Sequence, residues 1–137
     1  MNTQDKNQDN QKIKILITDD DQFLLDMYAM KFTERGYEVV RAASGEEALA
    51  ALQAGGSTYA ALLLDLVMPG MDGFGLLARL REEKIAPSCR VIVLSNLGEP
   101  SDVEKARQYG IDGYIIKASA TPSEVVEKVE AILGNAK

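Results

Sequence analysis

Histidine does not occur among the 137 residues, and Cys89 is the single cysteine. The first absence excludes a histidine general base, a Ser-His-Asp triad and any His-ligated metal. One cysteine can form neither an internal disulfide nor a thiolate cluster, and it suits a reducing compartment. Long apolar runs are lacking as well. Tyr59 to Leu64 is the longest, far below the ~18 residues of a membrane span. Residues 1–11 have no apolar side chain after Met1, so they read as a solvated tail rather than a signal peptide. Positive charge is scarce: 15 Lys and Arg stand against 21 Asp and Glu, a net charge of −6. That balance disfavours a grip on nucleic acid or anionic lipid by the bulk surface. The expectation is a cytoplasmic protein with no membrane or direct nucleic-acid partner, limited to carboxylate, hydroxyl and lysine chemistry.

The remaining composition is that of an ordinary globular chain, with 46% hydrophobic and 26% charged residues, and the length suits one domain. Short β-rich runs alternate with helical stretches from Lys12 onward. Ile13–Thr18 predicts a strand, and Asp21 is placed to cap a helix burying Leu24, Met27, Tyr28 and the stem of Lys31. Glu38–Ala42 predicts a second strand, followed by a capping box at Ser44–Glu47 and a helix to about Ala54. Tyr59–Leu64, apolar on both faces, suits a central parallel strand. A helix over Asp72–Lys84 would bury Leu76, Leu77 and Leu80. Val91–Leu94 is a fourth strand, with a helix between Pro100 and Tyr109, and Tyr114–Ile116 a fifth. Thr121–Glu124 combines a capping box with proline at the first helical position. The last helix carries Val125, Val126, Val129, Ile132 and Leu133 on one face. Five such βα units predict a doubly wound α/β fold with a parallel sheet.

In open sheets of this kind the functional crevice lies beyond the carboxyl ends of the strands. There the sequence places Asp19-Asp20 (with Asp21), Asp65, Ser95 and Lys117. Separately each has an ordinary role: helix cap, turn start, loop hydroxyl, exposed lysine. Together on one edge they form a chemical set. Three carboxylates in one pocket repel, so a hard cation is needed to keep them ionised. With oxygen ligands alone, Mg²⁺ or Mn²⁺ is the metal to expect. An aspartate can attack phosphorus to form an aspartyl phosphate, and a hydroxyl and an ammonium complement the other phosphoryl oxygens.

The blocks Ile15–Asp21, Leu64–Gly73, Val91–Ser95 and Gly113–Lys117 resemble, in order and spacing, the receiver domain of bacterial two-component response regulators. The similarity runs from about Lys12 to Leu133 and implies a receiver domain over residues 12–134. The resemblance implies a flavodoxin-like (βα)5 fold with strand order 2-1-3-4-5. It also implies that Asp65 is the phosphoacceptor and that Asp19, Asp20 and Asp65 bind Mg²⁺ together with the backbone carbonyl of Val67. Asp21 is left as a helix cap. Ser95 matches the Ser/Thr switch position, Lys117 the phosphate-pairing lysine, and Tyr114 the aromatic switch. The implied partners are a sensor histidine kinase or histidine phosphotransfer protein, and a downstream protein or output domain. The surface of the fourth helix, fifth strand and fifth helix would be read by them, as a monomer or a phosphorylation-dependent dimer. Such a chain is not an enzyme acting on a separate substrate; it catalyses its own phosphotransfer and slow dephosphorylation.

Departures from the family pattern also carry expectations. Ala118 stands where most relatives have a proline, often after a cis bond. A non-proline cis bond costs ~3 kcal/mol, so Lys117–Ala118 should be trans. Asn96 replaces a usually small residue beside the phosphoryl site, where it can restrict or orient the attacking water. Val67 replaces a residue that is often polar. Other readings fit less well. An aspartyl-phosphate phosphatase or mutase would want a second Asp two residues after the nucleophile, where Val67 stands. Gly70, Gly73 and Gly75 lack the order of a dinucleotide loop. A constitutive interaction module would tend to lose Asp65, Ser95 or Lys117. No output module is read after Leu133, which suits a stand-alone regulator or a receiver from a larger protein.

Overall fold

The computed structural model describes residues 12–134; the tail reading for residues 1–11 lies outside them. Five parallel strands, β1 (Lys14–Thr18), β2 (Glu38–Ala42), β3 (Ala61–Leu64), β4 (Arg90–Ser95) and β5 (Gly113–Ile116), form one sheet in the order β2-β1-β3-β4-β5. Five α-helices connect and follow them: α1 (Gln22–Glu34), α2 (Gly45–Gly55), α3 (Gly73–Glu82), α4 (Pro100–Arg107) and α5 (Pro122–Leu133). This is the doubly wound, flavodoxin-like arrangement expected.

Side chains of a strand alternate between faces, and the three central strands use that alternation to build two cores. Leu16, Leu62, Leu64, Val91 and Val93 pack with Leu49 and Leu52 of α2 and Leu76, Leu77 and Leu80 of α3. Ile15, Ile17, Leu63, Ile92 and Leu94 pack with Leu25, Tyr28 and Phe32 of α1 and Val125, Val126 and Val129 of α5. β3 is buried at every residue, as a parallel strand covered on both sides must be.

Most helix starts are those read from the sequence. Asp21 and Asp72 accept from the amides of Leu24 and Gly75, and Thr121 and Glu124 form the full capping box at α5. At α2 the Ser44 hydroxyl accepts from Glu47 N, but the Glu47 carboxylate bonds the amide of Ala43 rather than Ser44. The expected face of α1 is rotated. Leu25, Tyr28, Ala29 and Phe32 are its buried residues, while Leu24, Met27 and Lys31 are only half-buried. The 25-28-29-32 stripe is apolar throughout, whereas 24-27-28-31 ends in a lysine that must keep its ammonium in water. In α5, Ile132 and Leu133 are half-buried and Glu130 is buried instead. Glu130 accepts from Arg35 Nη2 at 2.6 Å and Tyr37 Oη at 3.3 Å, fastening α5 to the end of α1.

Thr18, the last residue of β1, is buried, and its hydroxyl is the one buried side-chain polar atom among the described residues without a hydrogen-bond partner. A buried, unpaired hydroxyl costs ~1–3 kcal/mol, and valine has the same shape and a higher strand preference. Thr18→Val should therefore stabilise the fold by about 1 kcal/mol in denaturant unfolding. A loss of stability would show that this hydroxyl is hydrogen-bonded in solution.

Candidate functional site

The parallel sheet delivers the four candidate side chains to one edge because each follows or ends a strand pointing the same way. Asp19 comes directly after β1, Asp65 after β3, Ser95 ends β4 and Lys117 follows β5. The ladder continues just far enough to fix the two acids: Asp19 N donates to Ala42 O and Asp65 N to Thr18 O, each at 3.1 Å. Asp19, Asp65 and Ser95 are buried, while Asp20 is exposed.

Lys117 organises the pocket. Its Nζ lies 2.6 Å from Asp19 Oδ2 and 3.0 Å from Asp65 Oδ2, with 8% of the side chain accessible. The second carboxylate oxygens are held by backbone: Asp19 Oδ1 accepts from Asp21 N and Asp65 Oδ1 from Val67 N. Burial raises the pKa of Asp19 above its usual 3.8, with the Asp65 charge adding to it, although the Lys117 and Asp21 hydrogen bonds oppose the shift. Burial on its own would lower the Lys117 pKa, but the hydrogen bond to Asp19 and the Asp65 charge outweigh it and hold the ammonium above its usual 10.5. Asp19, Asp20 and Asp65 each offer a carboxylate oxygen, all within 4.8 Å of one another. One ammonium, bonded to two of them, stands against three acids whose oxygens form a donor set suited to a hard divalent cation.

Asp19, Asp20, Asp65, Val67, Ser95 and Lys117 all line this pocket, so the residues proposed from sequence come together, with the Val67 side chain largely in solvent. Tyr114 does not line it. It is half-buried, burial raises its phenol pKa, and its hydroxyl donates to Leu97 O at 2.5 Å. Leu97 is also tied to Ser95, whose Oγ accepts from Leu97 N at 3.3 Å. Lys117–Ala118 is trans, as are all described peptide bonds.

Two contributors escaped the sequence reading. Glu46 of α2 accepts from Met71 N and lies under Gly70, whose φ is +72°, so α2 braces the loop that carries Asp65. Gly73 lets α3 start against that loop, since a Cβ there would stand 2.6 Å from Asp65 O. Asn96 accepts from Ala118 N at 2.9 Å, so the two departures from the family pattern are bonded to each other. Glu46 gave no signal beyond an acidic helix start.

A family profile described as "Response regulator receiver domain" matches residues 15–130. Among curated proteins, the transcriptional regulatory protein ResD of Bacillus subtilis is 36% identical over 124 residues, covering 90% of this chain and 49% of that protein. The probable transcriptional regulator ycf27 of Pyropia yezoensis is 36% identical over 129 residues, covering 93% of this chain and 50% of that protein. The chain spans about half the length of these curated relatives. A CheY-like receiver domain protein from Methanospirillum hungatei superposes with a TM-score of 0.81 at 28% identity, covering 90% of this chain and 95% of that one. A chain of the CheX-CheY-BeF3-Mg²⁺ complex from Borrelia burgdorferi gives a TM-score of 0.80 at 29% identity, with 88% of each chain covered.

Proposed function

This chain belongs to the response regulator receiver domain family, and from that premise we propose that it is a two-component phosphoacceptor whose Asp65 takes the phosphoryl group. The observation that carries the reading is the buried Asp65 carboxylate, bonded by the Lys117 ammonium and with an oxygen within 4.8 Å of oxygens of Asp19 and Asp20. An Asp65 oxygen attacks phosphorus, the bond from phosphorus to the donor's leaving group breaks, and its electron pair departs with that group. The donor is a partner's phosphohistidine or a small acyl phosphate, because this chain has no histidine. Asp19, Asp20, Asp65 and the Val67 carbonyl would hold Mg²⁺, which offsets the charge between acceptor and incoming phosphoryl oxygens. Lys117 and Ser95 then donate to the remaining phosphoryl oxygens. The receiver spans residues 12–134 in this reading and works in the cytoplasm, as the family does. No described helix is long and apolar enough to cross a membrane.

Signal leaves through Leu97. When the Ser95 hydroxyl turns to the phosphoryl group, Leu97 loses its amide acceptor, and the Leu97 carbonyl is what anchors Tyr114. The pull therefore reaches the α4–β5–α5 surface, where a downstream protein or output domain binds one state better than the other. α4 is suited to respond, since Ala106 is its one buried residue and no side chain caps its start.

Incubation with a small acyl phosphate and Mg²⁺ should add one phosphoryl group to the intact mass, and chelation of the metal should suppress it. No mass gain with Mg²⁺ refutes the phosphoacceptor role, and equal labelling with chelator refutes the metal's part.

A further inference from the structure

Three consecutive residues at the exit of β4 are each fixed by a bond involving a side chain: Leu97 N to Ser95 Oγ, Ala118 N to Asn96 Oδ1, and Tyr114 Oη to Leu97 O. The middle bond has a direction. In the order β3-β4-β5, Asp65 follows β3 on one side of Asn96, and Ala118 lies past β5 on the other. Accepting from Ala118 N at 2.9 Å therefore draws the Asn96 amide to the β5 side of the pocket. Asn96 nevertheless lines the same pocket as Asp65 and Lys117, so a side chain of its length, once released, has the phosphoacceptor within reach. The donor exists because residue 118 is alanine; a proline there would offer no N–H.

We infer that Asn96 and the Ala118 amide form a latch that holds a bulky side chain clear of the approach to Asp65. Asn96 is thus a positioning residue for phosphoryl uptake. The inference rests on the phosphoacceptor reading of Asp65 and adds a control that belongs to this chain's own pair of residues. Asn96 and Ala118 are both exposed, so the bond competes with water, and a single bond of this kind biases a side chain by roughly five- to tenfold. The latch leaves the pocket open most of the time while keeping the amide at its rim.

Two substitutions separate bulk from bond. Asn96→Leu keeps the size and loses the acceptor; Asn96→Ala loses both. Water-exchange NMR should show the Ala118 amide exchanging about five- to tenfold faster in each variant. Uptake from a small acyl phosphate with Mg²⁺, where the acyl carboxylate leaves as Asp65 bonds phosphorus, should slow about three- to fivefold in Asn96→Leu and not slow in Asn96→Ala. A purely structural role would move both rates alike, since both variants lose the same bond, and that result overturns the latch. Unchanged Ala118 exchange in Asn96→Ala overturns it as well, without reference to phosphoryl chemistry. If the parent chain takes up no phosphoryl group, the phosphoacceptor reading fails and this role with it, while Ala118 exchange still reports whether the bond forms.

Discussion

Asp65→Asn should abolish phosphoryl uptake while leaving the fold intact. Asparagine matches aspartate in size and keeps an oxygen that can accept from Val67 N or Lys117 Nζ, the two donors to the residue 65 side chain. A neutral amide oxygen is a poor nucleophile toward phosphorus, and losing a nucleophile outright typically costs at least ~10³-fold in rate. Removing the Asp65 charge also removes one cause of the raised Asp19 pKa. The metal-free variant should therefore melt no lower than the parent. Intact-mass labelling with Mg²⁺ and a small acyl phosphate, paired with a thermal melt, reads both effects. A variant that labels at the parental rate would place the acceptor elsewhere. A variant that fails to label because it has unfolded would be exposed by the melt.

Lys117→Met should cost about 3 kcal/mol of stability without metal, because removing one member of a buried ion pair strands the other. Here it strands two carboxylates, at 2.6 and 3.0 Å from the lost ammonium. Mg²⁺ should recover part of the loss by replacing the missing positive charge among the three acids. The pH dependence follows from the two raised pKa values. Asp19 is already above 3.8 in the folded state, so its ionised form costs stability once the pH exceeds that value, and the cost grows without Lys117. The deficit of the variant should be widest near neutral pH and narrow on acidification toward 4. Lys117 is held above 10.5; its contribution is complete below that value and fades as pH rises through the folded pKa, so the gap also narrows in strong alkali. Denaturant unfolding with chelator, with Mg²⁺ and across pH tests all three parts. A deficit under about 1 kcal/mol at neutral pH would rank this pair with ordinary surface ion pairs.

The sequence disclosed the parts of the molecule that periodicity and capping encode. Alternating apolar residues located the strands, and a chain that builds a parallel sheet must bring the residues after those strands to one edge. Asp19, Asp65, Ser95 and Lys117 are legible for that reason, without any contact between them. Contacts between polar groups far apart in the chain carry no such period. Glu130 reads as one more exposed helix acid until Arg35 and Tyr37 are found beside it. Glu46 passes for a helix-start acid until the loop at Met71 is seen to rest on it. Asn96 and Ala118 were visible as departures but not as partners. The phase of α1 is a different case, since the fully apolar stripe through Phe32 was present in the sequence and outweighs the one that ends in Lys31.

The chain order of the site has a consequence for biogenesis. The three acids lie at the ends of β1 and β3, whereas Lys117 follows β5, so the ammonium that pairs with Asp19 and Asp65 is the last part of the pocket to be translated. Synthesis runs at roughly 5–20 residues per second, and a domain folds as a unit. The acids therefore wait seconds in an open, hydrated chain, and the pocket closes around them only once its own counter-charge has been made.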